Sequence, residues 1–235
     1  MGGMEEGLGA RLIDVGNYQI SETILVTWIV MAVIIALAIA ARIAFRNFKT
    51  IPKGVQNVIE IVVEATTNLT MDSMGKENRG YTPFVGTMLI FIALLNISGL
   101  FGFKPPTSDV NTTVGFGVLT FLTIQLSSIR KNGVLGHIKG YFEPMPLLFP
   151  VNVIGDLASP ISLGFRLFGN VLAGVIVGSL LYGALAALSS SIGLSIPIFQ
   201  AIIPVALHAY FDIFSGFLQS FIFTMLTMIF IYNAL

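Results

Sequence analysis

The sequence predicts an all-α integral membrane protein: about five transmembrane helices, one cytoplasmic interfacial helix, and two long, steeply tilted C-terminal helices forming a hairpin. Three observations carry this prediction. Of 235 residues, 55% are hydrophobic and 10% charged, and the mean hydropathy is +0.88, which is far too apolar for a soluble domain. Uncharged runs near the ~20 residues that a bilayer crossing needs cover Thr23–Ala41, Gly80–Phe103, Val110–Ile129, both flanks of Arg166, and Ile213–Leu235. The remaining charges gather between those runs, so 1–235 reads as one membrane domain.

Residues 1–22 carry Glu5, Glu6, Asp14 and Glu22, where a cleaved leader would be positive. They are expected to form an external N-terminal segment, with the first span, 23–45, acting as its own insertion signal. Arg42, Arg46, Lys49 and Lys53 follow that span, Lys76 and Arg79 precede or open the second (80–103), and Arg130, Lys131 and Lys139 follow the third (110–129). The opposite side holds Arg11 and Lys104. The positive-inside rule therefore places the N-terminus outside and the basic loops in the cytoplasm. Five spans leave the C-terminus cytoplasmic.

Across 54–74, apolar residues recur at Val55, Val58, Ile59, Val62, Ala65 and Leu69, with Gln56, Asn57, Glu60, Glu64 and Asn68 mostly between them. The period is helical, and the segment is expected on the cytoplasmic surface. Its polar face is acidic where interfacial helices favour Lys and Arg, so docking against a partner protein fits equally.

The stretch 147–188 has only Asp156 and Arg166 as charges. As one helix it would extend roughly 60 Å, twice the apolar thickness of a bilayer, and steep tilt or bending relieves such a mismatch. Pro160, Gly164 and Gly169 offer the alternative of several shorter helices. The turn "SSSIGLSIP" (Ser189–Pro197) leads into 197–232, in which Pro204 either kinks the helix or marks its first turn.

An arginine at membrane depth costs about 2.5–3.5 kcal/mol on insertion scales, so such residues face a partner or a wet cavity. Ser159, Ser162, Asn170 and Ala173 share a helical face with Arg166, and Gly169, Ala173 and Gly174 leave room for another helix. In the last helix His208, Asp212, Ser215 and Gln219 occur at i, i+4, i+7 and i+11, a polar line of roughly 16 Å suited to a proton relay or hydrated ion path. A buried Arg166–Asp212 ion pair that merely locks two helices is the structural alternative, and it leaves Asn170, Ser215 and Gln219 unexplained. Asp156 is either a port residue or an interfacial charge, and His208 either a relay or a core histidine. With no cysteine, disulfides and thiolate metal sites are excluded, and no P-loop is present. No catalytic residue, metal or cofactor is expected, so the chain is non-catalytic by itself.

Taken together, "PTSDVNTT" (Pro106–Thr113), "SLGFRLFGNVLAG" (Ser162–Gly174) and "LQSFIFTMLTMIFI" (Leu218–Ile231) resemble subunit a of the F-type ATP synthases. The resemblance implies an ion-translocating stator subunit beside a rotating ring of c subunits, with the subunit b peripheral stalk and the rest of the synthase as further partners. It implies H⁺ or Na⁺ as the transported ion and ATP chemistry on other subunits, while the lack of a transit sequence leads to the expectation of a bacterial inner membrane, with an organelle-encoded chain as the alternative. Two offset half-channels then load and unload the ring carboxylates, with Arg166 in the gap between them. Asn170 and Gln219 match motif positions, Asp212 stands where some relatives carry His, Glu or Ser, and Val175 where some carry Glu or His. Gly155–Asp156 replaces an acidic pair, leaving Asp156 as the cytoplasmic half-channel candidate, while the outer half-channel depends more on Asp212. An autonomous ion-coupled secondary transporter is the competing class. Such folds show internal repeats, and neither polar motif has a second copy here. A purely structural anchor would gain nothing from buried charge.

Overall fold

A computed structural model describes residues 12–15, 18–44, 54–143, 145–191 and 209–235. Arg11, Arg46, Lys49, Lys53, Pro197, Pro204 and His208 lie outside the described residues, as does most of the expected turn into the last helix.

The fold is all-α, and among the described residues five helices are long and apolar enough to cross a membrane. A short antiparallel hairpin precedes them, β1 (Leu12–Val15) and β2 (Tyr18–Ser21), paired from Leu12↔Ser21 to Val15↔Tyr18. Helix α1 (Glu22–Ala44) follows directly. It is apolar on all sides, and Trp28, Ile29, Leu37 and Ile43 are exposed on its surface, as expected for a peripheral helix bathed in lipid. Its first turn is anchored: Thr23 is fully buried and donates to the Asp109 carboxylate at 3.1 Å.

Helix α2 (Val55–Met74) packs with its threonine side rather than its aliphatic side. Thr66, Thr67 and Thr70 are buried, whereas Val55, Val58, Ile61 and Val62 are exposed. Each of these threonine hydroxyls donates to a carbonyl one turn back, Thr66 to Val62 at 2.9 Å, Thr67 to Val63 at 2.6 Å and Thr70 to Thr66 at 2.8 Å. The polar group is thereby satisfied inside the helix and a small methyl-bearing surface remains for packing. Gly86 of the next helix lies in ordinary contact with the Thr66 side chain.

Helix α3 (Thr82–Ile97) begins with Pro83 in its first turn, where the missing N–H has no intrahelical role. Two 3₁₀ turns, Ser98–Phe101 and Pro106–Ser108, lead to α4 (Val110–Gly140), whose first turn is capped by Asp109 accepting from the Asn111 amide at 2.9 Å. Gly133 interrupts α4 at φ 71°, ψ 165°, a region essentially restricted to glycine. The residues beyond it turn back toward the helix they follow, bringing His137 Nδ1 within 2.9 Å of Ser128 Oγ.

Helix α5 (Phe149–Ser191) runs unbroken for 43 residues, about 65 Å at 1.5 Å per residue. The alternative of a break at Pro160, Gly164 or Gly169 is not taken. Prolines are tolerated in membrane helices when neighbouring groups take over the freed backbone. A π-helical segment, Ala209–Ser215, then feeds α6 (Gly216–Ala234).

Helices α4 and α5 meet backbone to backbone. A β-carbon on Gly117 would fall 2.6 Å from the Pro160 carbonyl oxygen, and one on Gly164 2.7 Å from that of Thr113. Of the small residues singled out from sequence, Gly174 receives Phe211, while Gly169 faces open space and Ala173 is exposed. Met88, Ile92, Leu95, Phe116, Leu163, Leu167 and Phe223 form the core shared by α3 to α6, with Phe116 edge-on to both Phe91 and Phe223. Between lipid-embedded helices such close packing, rather than expulsion from water, supplies the attraction.

Candidate functional site

Among the described residues several cavities border α5, and two that lie at different heights along it hold residues expected at the site. The first, about 720 Å³, is bounded by α4 and the loop after it, the start of α5 and the end of α6, with Ser128, Asn132, His137, Tyr141, Asn152, Asp156, Ser159 and Asn233 among its lining. The bend at Gly133 creates it, because the segment beyond folds back toward its own helix. His137 Nδ1 lies 2.9 Å from Ser128 Oγ, and the Tyr141 hydroxyl reaches Asp156 Oδ2 at 2.8 Å and Gln125 Oε1 at 3.2 Å. Asn152 Nδ2 fastens the loop by donating to the carbonyls of Tyr141 (2.9 Å) and Glu143 (3.2 Å). Partial burial, and then the hydrogen bond to the Asp156 carboxylate, push the Tyr141 phenol above its ordinary value. Pro160 has no N–H, so the Asp156 carbonyl loses its usual partner one turn on. The exposed Lys139–Glu143 pair at 4.0 Å adds little.

The second cavity, about 330 Å³, lies toward the far end of α5 and is lined there by Asn170, Val175, Ser179 and Tyr182. Asn96, Gly99, Pro105, Phe211, Asp212 and Gly216 close its other sides. Asn170 and Ser215 pair, the amide donating to the hydroxyl at 2.9 Å with the reverse contact at 3.2 Å. Asp212 stands in the π-helical segment beside Gly99, where a β-carbon would come 3.9 Å from its carboxyl carbon. The π turn bonds i to i+5, so the straight line expected for Asp212, Ser215 and Gln219 is bent. Asp212 borders the cavity, Ser215 meets Asn170, and Gln219 is 6% exposed with its Nε2 lacking a hydrogen-bond partner.

Behind this cavity sits a residue the sequence reading missed. Asn96, 3% exposed, donates to the Gly216 carbonyl (2.8 Å) and Ser220 Oγ (3.2 Å), and accepts from Thr107 Oγ1 (2.7 Å). It ties the "PTSD" turn to the junction of the π segment with α6. A lone amide in the apolar run Gly80–Phe103 was the available signal. Tyr141 and Gln125 carried no comparable signal.

Arg166 lies between the two cavities, ten residues beyond Asp156 and four before Asn170, about 15 and 6 Å along the axis. It is exposed on the same outward face as Ser162, Phe165, Gly169 and Ala173. Among the described residues Arg166 and Asp212 form no ion pair with each other, as the helix-locking alternative would require. Ser159, expected beside Arg166, lines the first cavity and donates to the Gly155 carbonyl at 2.9 Å.

Comparison with known proteins adds an independent finding. The family profile described as "ATP synthase A chain" matches residues 24–232. The chain is 38% identical over 224 residues to ATP synthase subunit a of Moorella thermoacetica, covering 95% of this chain and 94% of that one. It is also 35% identical over 235 residues to the sodium ion specific ATP synthase subunit a of Propionigenium modestum, covering 93% of this chain and 75% of that one.

Proposed function

The chain belongs to the ATP synthase A chain family, and from that premise we propose that it is the ion-translocating stator subunit of a rotary synthase, working through two half-channels. It is a multi-pass membrane protein of the F-type ATP synthase complex. The observation that supports the half-channel reading is the offset along α5 of two cavities, one holding Asp156 and the other Asn170 and Asp212, with the exposed Arg166 between these residues along the helix.

In this reading the ring of c subunits runs against the outward face of α5, where Gly169 and Ala173 keep the surface flat beside Arg166. A ring carboxylate arriving at Arg166 is held ionised by the fixed positive charge and so gives up its ion. The same charge raises the barrier for a cation crossing straight from one cavity to the other, so ions complete the crossing only on the turning ring. Asp212, Asn170 and Ser215 serve the outer half-channel with Gln219 near the exchange point, His208 lies upstream in chain order, and Asp156 serves the inner one. Subunit b of the peripheral stalk and the remaining synthase subunits are the other partners. ATP chemistry takes place on other subunits.

Arg42, Lys76, Arg79, Arg130 and Lys131 fall in or beside the loops on the Asp156 side, and Lys104 on the Asp212 side. By the positive-inside rule the Asp156 cavity opens to the cytoplasm of a bacterial inner membrane and the C-terminus is cytoplasmic. The transported ion is H⁺ or Na⁺. A self-sufficient secondary transporter fits less well, because its cation would surround a substrate inside the bundle rather than face outward.

The test is ATP-driven ion pumping in inverted vesicles carrying the whole complex. Arg166→Ala should abolish pumping while the subunit still assembles, and a near wild-type rate would make Arg166 a structural charge.

A further inference from the structure

We propose that Tyr141 is a positioning residue of the inner half-channel, holding the Asp156 carboxylate by one oxygen so that the other stays open to the passing ion. The inference rests on the half-channel reading and deepens it.

Tyr141 is the residue on which the inner cavity's polar contacts converge. Its hydroxyl carries one proton and lies within reach of two acceptors, the Asp156 carboxylate at 2.8 Å and the Gln125 amide oxygen at 3.2 Å. The charged acceptor is the nearer and the stronger. The ring is held edge-on by His137 and Phe149, at 5.1 and 6.4 Å between centroids, and its carbonyl is pinned by Asn152. A hydroxyl set this firmly fixes a carboxylate that otherwise has no hydrogen-bond donor among the described residues. The carboxylate lies on an exposed helix face and would swing freely without it.

Gln125 sets how much of the proton Asp156 receives. Its oxygen competes for the hydroxyl, while its Nε2 is buried without a partner. Of the titratable groups that share the cavity with Asp156, His137, Tyr141 and Glu143 come from α4 and the loop after it, and α6 contributes the uncharged Asn233.

Tyr141→Phe removes the hydroxyl and keeps the ring packing. The experiment measures ATP-driven pumping by the reconstituted whole complex as the cytoplasmic-side pH is varied, for wild type, Tyr141→Phe, Asp156→Asn and the double variant. A carboxylate deprived of its only donor among the described residues no longer holds one oxygen in place, so Tyr141→Phe should pump several-fold more slowly than wild type across the profile. The double variant should pump as Asp156→Asn does alone, because the tyrosine acts through the carboxylate. A Tyr141→Phe profile superimposed on wild type, or additive losses in the double variant, overturns the proposal and leaves the half-channel reading in place. Wild-type pumping by Asp156→Asn removes the half-channel role of Asp156, and this proposal with it.

Discussion

At the scale of single residues, the polar groups that matter here are those whose hydrogen bonding is incomplete. Arg166 has no ion-pair partner among the described residues and Gln219 buries an unpaired amide nitrogen, whereas Asn96 has partners for both its amide nitrogen and its oxygen. An unsatisfied buried donor costs about 1–3 kcal/mol, so Gln219→Leu should leave the isolated subunit as stable as wild type or more so, as read by thermal melting in detergent. If Gln219 serves the exchange point as proposed, the same change should depress pumping by the complex. Loss of both stability and pumping would assign Gln219 to packing instead. The sequence exposed Arg166 readily, since one cation in a long apolar run stands out. It could not reveal the Tyr141–Asp156 contact, which depends on a backbone bend at Gly133 and on fifteen residues of chain returning to one point.

At the scale of helices, length and apolarity were legible because lipid forces every backbone group to be satisfied within the segment. Which side of a helix packs was not legible. In α2 the sequence marked an aliphatic stripe and an acidic face, while the contact side is formed by threonines whose hydroxyls return to their own backbone. In α5 the glycine that matters for packing on α4 is Gly164, placed against a carbonyl that no periodicity argument could locate. Gly164→Ala should destabilise the subunit by about 1–3 kcal/mol, and Gly169→Ala, whose new methyl meets open space, by less than about 0.5 kcal/mol. Thermal melting of the two purified variants compares them, and equal losses would refute the close contact. The π turn escaped the sequence reading too, because an inserted residue leaves no signature in an apolar run.

At the scale of the whole molecule, the arrangement is two openings displaced along one long helix. The chain has no native cysteine, so single cysteines report the openings without background. Ser179→Cys should react with a membrane-impermeant maleimide from the outer side and Asn132→Cys from the cytoplasmic side, compared in right-side-out and inverted vesicles. Reaction of both from the same side would contradict the offset. The family was legible in three motifs, while the cavities that give those motifs meaning needed all of α3 to α6 in place. The backbone contact between α4 and α5 has a mechanical consequence as well. In the proposed stator role, a rotor pressing on Arg166 would deliver its load two residues from Gly164, where no side chain stands between the helices to deform. The recoil would then pass straight into α4 with little elastic give, so in that role this short seam would act as a rigid abutment and keep torque from being lost in the flexing of the static part.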